Sequence, residues 1–150
     1  MIRNERPVIA HFAPEELLFL RYGVDDFVNG QLAVGAIKFP KQSVNRGCFS
    51  EPEDVLYHDE GKYNGLGAVE FSVEDIPPTI TGDQGSTYRF FAHHEPRDDN
   101  YGHSEIWSAR PRAEEEYREP SKSTKLQFRM QLCKRILTSR IRITAVRNRA

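Results

Sequence analysis

Apolar and polar positions alternate in three stretches of the chain, and this period of two predicts β-strands. In residues 69–74, valine and phenylalanine alternate with glutamate and serine, as in a strand with one buried and one wet face. Residues 88–94 and 103–109 alternate in the same way, and the polar stretch between them predicts a hairpin with a long connection. A β-sheet is therefore the centre of the predicted fold.

Three other segments are assigned from their local chemistry. Residues 14–23 begin with a proline and two glutamates and continue with leucines, which predicts a helix that ends at the next glycine. Residues 32–39 are apolar on both faces and predict a buried strand. The polar stretch 43–47 predicts a loop, and Ser50 is placed to cap a short helix through Tyr57.

The strongest helical pattern lies near the C-terminus, in residues 125–137. Apolar side chains recur there at intervals of three and four, which predicts a helix with one buried face. Ser123 or Thr124 can cap its first turn. The predicted buried stripe consists of Leu126, Met130, Cys133 and Leu137, and it is widened by Phe128, Leu132 and Ile136.

These elements predict an α+β fold, with a small mixed or antiparallel β-sheet, a few packed helices and a basic C-terminal helix. We expect a single α+β domain in residues 1–110. A charged, proline-containing stretch in residues 111–123 predicts a linker, and residues 124–150 form the basic helix and tail.

The composition is that of a globular chain, since 38% of the 150 residues are hydrophobic and 29% are charged. No run of about 20 apolar residues occurs, so we expect no membrane-spanning segment. The chain has two cysteines, Cys48 and Cys133. Two distant cysteines are no disulfide framework, which favours a reducing, cytoplasmic setting.

Charge is distributed unevenly, although its net value is −1. Residues 122–150 hold nine basic side chains and no acidic one, which leaves twelve basic against 22 acidic residues elsewhere. This asymmetry favours a polyanionic partner such as nucleic acid, or a tail that folds back on the acidic body. Contacts with phosphates would be non-specific and salt-sensitive. The helix cations assigned to such binding are Lys125, Arg129, Lys134 and Arg135.

Functional groups are densest in residues 93–105, which hold three of the five histidines. In the predicted hairpin His94 ends one strand and His103 begins its neighbour, so we expect the two imidazoles to converge. An imidazole has an ordinary pKa of about 6.5, so the pair can act as general acid and general base. With Arg46 or Arg97 stabilising a developing anion, this arrangement suits metal-independent cleavage of a phosphodiester.

Two other hypotheses explain the same histidines. Both rings, together with a carboxylate from Glu105, Asp98 or Asp99, have the ligand types of a divalent-metal site, although the spacing matches no standard metal motif. Alternatively, the rings hydrogen-bond to loop carboxylates and hold the connection in shape. The sequence leaves all three hypotheses open, and a divalent metal is the one cofactor that any of them implies.

Polar residues beside the hairpin complete the candidate site. Asn100 forms an Asx-turn, or it orients His103 or a substrate phosphate. Tyr101 packs over the hairpin or extends its hydroxyl into the site. Ser43 and Asn45 follow the predicted buried strand, which is a common location for ligands. Ser43 as a nucleophile needs a base beside it, and the sequence shows none.

Two strings of the chain resemble sequences of small bacterial proteins that have no assigned activity. They are Ser43-Val44-Asn45-Arg46 and His94-x-Pro96-x-x-x-Asn100-Tyr101-x-His103-Ser104-Glu105-Ile106. The resemblance covers residues 15–108. It implies a bacterial, cytoplasmic origin, and it implies no role for any residue.

Functions from different classes fit these observations. The first hypothesis is a small phosphodiester hydrolase that acts on RNA or a nucleotide through the histidine pair. The alternative is a non-catalytic binding protein that docks through its basic C-terminal helix, and a metal-dependent hydrolase is the third hypothesis. The sequence does not indicate the oligomeric state.

Overall fold

The computed structural model describes residues 7–39, 41–56, 67–82, 85–111, 116–136 and 141–143. Nine strands and one α-helix account for its regular structure, together with short 3₁₀ turns, within these ranges. In chain order they are β1 (Leu17–Tyr22), β2 (Phe27–Val28), β3 (Gln31–Leu32), β4 (Gln42–Arg46), β5 (Gly67–Ser72), β6 (Thr79–Thr81), β7 (Thr87–His94), β8 (His103–Ala109), α1 (Lys122–Arg135) and β9 (Ile141–Ile143).

Seven of the strands form one sheet in the order β6-β7-β8-β4-β1-β5-β9, and every neighbouring pair is antiparallel. The strands β2 and β3 form a separate two-stranded hairpin. A sheet of this kind with one long helix confirms the α+β prediction.

The core lies between one face of the large sheet and α1. Every second residue of β7, from Tyr88 to His94, is buried. Phe90 on this face stacks on Phe128 of α1 with ring centres 4.2 Å apart, and Phe39 packs edge-on against both rings. Burial of each such aromatic side chain stabilises the fold by about 1.5–3 kcal/mol, so this contact fixes α1 on the sheet.

The segment predicted to be a helix, residues 14–23, forms strand β1 instead. Only a turn occurs at its start, where the Glu16 N–H donates to the Ala13 carbonyl over 3.1 Å. The run Leu17–Tyr22 pairs with β5 along its whole length and with β4 on its other edge. Because Leu17 and Phe19 lie on one face of β1 and Leu18 and Leu20 on the other, its apolar run does not alternate and resembles a helix in sequence. The prediction was wrong for this reason.

Two neighbouring predictions are also corrected. The predicted strand 32–39 is interrupted after Leu32 by a 3₁₀ turn at Val34–Ala36. The predicted loop 43–47 belongs, up to Arg46, to β4, which is a central strand, so Ser43 and Asn45 form ladder pairs with β8. Polarity indicated a loop there because several of these side chains are buried through hydrogen bonds rather than through apolar contacts.

The predicted C-terminal helix is confirmed, with its start three residues earlier. Ser121 caps it by accepting a hydrogen bond from the Thr124 N–H, rather than Ser123 or Thr124. The predicted stripe is also shifted, because Leu126 and Met130 are exposed at 47% and 40%. The buried helix side chains are Thr124, Phe128, Leu132 and Cys133.

The remaining predictions have mixed outcomes. The strand near 69–74 and the hairpin 88–109 are confirmed as β5 and as β7 with β8. The short helix near Ser50 is a 3₁₀ turn at Pro52–Leu56. In the predicted linker, Arg118 exchanges two hydrogen bonds of 2.7 Å with Ser108 of β8.

Parts of the basic C-terminal tail lie outside the described residues. They are residues 137–140, which include Leu137 of the predicted stripe, and residues 144–150. Between them, Ile141–Ile143 pairs with β5 as the edge strand β9. No helix in the described ranges is both long and apolar enough to cross a membrane.

Candidate active site

The two candidate histidines point to opposite faces of the sheet. The register of the hairpin pairs His94 with Ser104, whereas His103 lies opposite Asn45 of β4. Because successive side chains of a strand alternate between faces, His94 shares the core face with Ser104 and His103 shares the other face with Glu105. The expected convergence of the two imidazoles is therefore wrong, and the one-residue offset in register is its cause.

His94 has structural partners on both ring nitrogens. Its Nδ1 accepts a hydrogen bond from the Ile9 N–H over 2.9 Å, and its Nε2 donates to the Tyr101 carbonyl over 2.8 Å. The side chain is 2% exposed, and burial lowers the pKa of His94 below its ordinary value. A neutral ring with both nitrogens engaged holds the N-terminal segment against the hairpin.

Arg46 is engaged in the same way and lies on the core face with His94. Its guanidinium forms two bonds to the Glu16 carboxylate, of 2.5 and 2.8 Å. It also donates to the carbonyls of Ile9 and His11 over 2.6 and 2.8 Å, and the side chain is 2% exposed. The predicted role of Arg46 as an anion-stabilising cation at His103 is therefore contradicted by its position.

Asn100 and Asn45 form a reciprocal pair of amide hydrogen bonds, of 2.9 and 3.0 Å. This pair ties the turn of the hairpin to β4 on the face that carries His103. The Tyr101 hydroxyl donates to the Pro7 carbonyl over 2.5 Å, and its ring packs edge-on against His94. Neither Asn100 nor Tyr101 bonds to the His103 ring among the contacts that the structure describes.

His103 has a serine partner that the sequence could not indicate. Its Nε2 lies 3.3 Å from the Ser43 Oγ, and its Nδ1 lies 2.8 Å from the Glu95 carbonyl oxygen. Since a carbonyl only accepts, Nδ1 carries the proton and Nε2 presents a lone pair to the serine hydroxyl. The ring is 5% exposed, whereas Ser43 is exposed to solvent. A buried base thus contacts an accessible hydroxyl.

The electrostatics of His103 favour the neutral ring. Burial lowers the pKa of His103 most strongly, and the positive charge of Arg97 acts in the same direction. The hydrogen bond to the Glu95 carbonyl and the charges of Glu105 and Glu95 oppose this lowering of the pKa. A neutral imidazole with a bound orienting acceptor can take a proton from Ser43 near pH 7.

Glu105 stands beside this pair in a row that crosses three strands. The register places Ser43, Glu105 and His93 side by side on β4, β8 and β7. The Glu105 carboxylate accepts a 2.9 Å bond from the Trp107 indole, and the Trp107 ring stacks on His93 at 3.8 Å. Residues 43, 45, 103 and 105 therefore form one polar surface, which a strand assignment for 42–46 would have predicted.

The helix cations lie apart from this surface, since α1 packs on the core face. Lys125 pairs with Glu119. Arg129 and Arg135 donate to the carbonyls of Ile37 and Asp75 over 2.9 and 2.8 Å, and Lys134 is exposed. Most of the cations that were predicted to contact phosphates therefore bind groups of the chain itself.

The ligand set proposed for a metal is not assembled, because His94 and His103 are on opposite faces. Within the described ranges, no three side chains of His, Cys, Asp or Glu lie close enough together to hold a metal ion. A separate cleft of about 460 Å³ lies between the N-terminal segment and β7, lined by Ala10, Phe12, Ile76 and Phe90 among others. Neither Ser43 nor His103 lines this cleft.

Comparisons with known proteins add no relative. No protein-family model matches the chain, and no curated protein or solved structure is similar to it. The resemblance to small bacterial proteins thus stays a prediction, and the site alone supports a function.

Proposed function

We propose that the protein is a small hydrolase of phosphodiesters in which Ser43 is the nucleophile and His103 is the general base. The observation that carries this proposal is the 3.3 Å contact of the Ser43 Oγ with a His103 ring whose other nitrogen is fixed on the Glu95 carbonyl. Nucleophile, base and orienting acceptor are the three parts of an activated serine. Ser43 and His103 replace the pair of histidines that the sequence suggested.

In the proposed reaction, the Ser43 hydroxyl proton passes to His103 Nε2 as the Oγ–P bond forms. The bond from phosphorus to the leaving alcohol breaks on the opposite side of the phosphorus, and that alcohol takes a proton from solvent water. Water then attacks the phosphoserine from the same side and gives its proton to the solvent, and the Ser43 Oγ leaves with the proton that His103 Nε2 holds. The positive charge of Arg97 acts on the His103 ring and lowers its pKa. Arg97 would stabilise the negative charge on the phosphate in both steps.

RNA or a nucleotide remains the substrate class of this proposal, and a bacterial, cytoplasmic setting belongs to the same proposal. The Ser43 side chain is exposed to solvent beside the buried His103 ring, so an extended substrate can reach the hydroxyl. The proposal needs no metal, because the serine is activated by the imidazole.

The test compares wild type, Ser43→Ala, His103→Gln and the exposed-histidine control His11→Gln, with and without EDTA. The substrates are bis(4-nitrophenyl) phosphate and labelled single-stranded RNA. We expect kcat/KM to fall by about 10²–10⁴-fold in both site variants and to be unchanged in His11→Gln and in EDTA. A Ser43→Ala variant that keeps the wild-type rate would refute the mechanism. A rate lost in EDTA would favour the metal-dependent hypothesis.

A second candidate function has its own support, which is the exposed apolar pair Leu126 and Met130 on α1. The two residues are one turn apart, and the helix between Lys122 and Arg135 contains no acidic residue. An acidic, amphipathic segment of a partner would suit this surface. A wild-type protein that cleaves neither substrate would favour this binding function.

A further inference from the structure

Lys41 lies on the proposed catalytic face, where its ammonium group contacts two aromatic rings. Its Nζ lies 4.8 Å from the ring centre of Trp107 and 4.7 Å from that of Tyr117. Two aromatic faces attract an ammonium group at these distances. Among the described residues, no carboxylate lies within ion-pair distance of Lys41. The cation is thus held in place by the two rings.

The backbone places Lys41 next to the nucleophile. Lys41 has a φ of 55°, a left-handed conformation that costs a non-glycine residue about 1–2 kcal/mol. The residue directly precedes β4, and its side chain reaches the face that carries Trp107 and Ser43. Residues two apart in an extended chain are separated by about 7 Å. The ammonium can therefore contact a group bound beside Ser43.

We propose that Lys41 forms an anion subsite of the Ser43–His103 site and binds a charged oxygen of the phosphodiester that Ser43 attacks. The inference rests on the proposed hydrolase function and deepens it by naming the residue that recognises the charge of the phosphate. A phosphate oxygen gains a charge-assisted hydrogen bond from Lys41, and the ammonium keeps its contacts with Trp107 and Tyr117.

The test measures binding in a Ser43→Ala background, where no turnover occurs. Trp107 is the single tryptophan of the chain, so its fluorescence reports on the subsite directly. Diethyl phosphate is titrated against the Ser43→Ala protein and against the same protein with Lys41→Met, Lys41→Arg or the control Lys122→Met. Lys122 is exposed and lies on α1, across the sheet from Ser43.

We expect the Kd for diethyl phosphate to rise about tenfold with Lys41→Met, which corresponds to one lost charge-assisted contact. Lys41→Arg should restore most of the affinity, and Lys122→Met should leave the Kd unchanged. An unchanged Kd with Lys41→Met, or no saturable binding at all, would overturn the subsite. Binding through Lys41 in a protein that fails to cleave bis(4-nitrophenyl) phosphate would instead overturn the hydrolase function and keep the subsite.

Discussion

Replacement of Arg46 by methionine is the sharpest stability test of the fold. Methionine keeps much of the apolar volume of the side chain and removes its charge and donors. The Glu16 carboxylate would then remain about nine-tenths buried without its cation. The carbonyls of Ile9 and His11 would lose their donor as well. The perturbation therefore leaves a buried carboxylate without its cation and two carbonyls without their arginine donor.

The expected cost follows from this geometry. Removal of one partner from a buried ion pair destabilises proteins by about 3–5 kcal/mol, because the other charge stays desolvated. At this chain length each kcal/mol lowers Tm by about 2–4 °C, so we expect Tm to fall by roughly 6–20 °C. The double variant Arg46→Met, Glu16→Met should lose less than the sum of the two single losses, by about 2 kcal/mol.

The assay is urea unfolding followed by the fluorescence of Trp107. The control is Arg118→Met, because that arginine is exposed and its hydrogen bonds to Ser108 use backbone atoms. A loss of less than about 1 kcal/mol in Arg46→Met, comparable with that of a surface ion pair, would refute the reasoning. Additive single losses would show that Arg46 and Glu16 act independently.

Two further predictions concern the titrating side chains. Burial lowers the pKa of both His94 and His103, so the unfolded chain binds their protons first as pH falls below about 6.5. We expect the free energy of unfolding to decrease as the pH falls from about 6.5 to the pKa of each histidine in the folded protein. The decrease is up to about 1.4 kcal/mol per pH unit for each histidine. Urea midpoints that stay constant between pH 8 and pH 5 would contradict this expectation. Burial raises the pKa of Cys133 to about 11, whereas Cys48 is exposed. Ellman's reagent at pH 8 should therefore modify one thiol in the native protein and both in urea, and two reactive native thiols would be the opposite result.

The sequence predicted strands in which polar and apolar residues alternate, and it failed where apolar residues occupy both faces of a strand. β7 and β8 were predicted because this alternation is present in them. In β1 leucines occupy both faces, although Leu17 is exposed at 40%, so the run resembles a helix. One available local signal was missed, since Asn29-Gly30 has φ values of 53° and 78° and joins β2 to β3. An Asn-Gly pair of this kind is a strong indication of a hairpin.

The candidate site could be predicted only in part, for a physical reason. His103 and Ser43 were both singled out, but their contact depends on the pairing of β4 with β8, which a single sequence does not encode locally. Because residues 43–47 were predicted to form a loop, the alternation of faces in a strand was not applied to them. That alternation places Ser43 and Asn45 on one face. The predicted pairing of His94 with His103 was wrong by one residue of register. A shift of one residue moves every side chain of a strand to the other face of the sheet.

The pairing of β4 also has a consequence for how the chain would acquire the proposed activity. Ser43 and His103 are 60 residues apart in sequence, and β4 lies in the sheet between β8 and β1. The proposed nucleophile contacts His103 only after a long loop has closed, and such non-local pairings form slowly. On a ribosome, the strand that holds Ser43 would wait for β8 to emerge before the centre of the sheet could form. A partly synthesised or locally unfolded chain would therefore carry an unactivated serine, and recovery of hydrolysis after refolding would report the completion of the whole sheet.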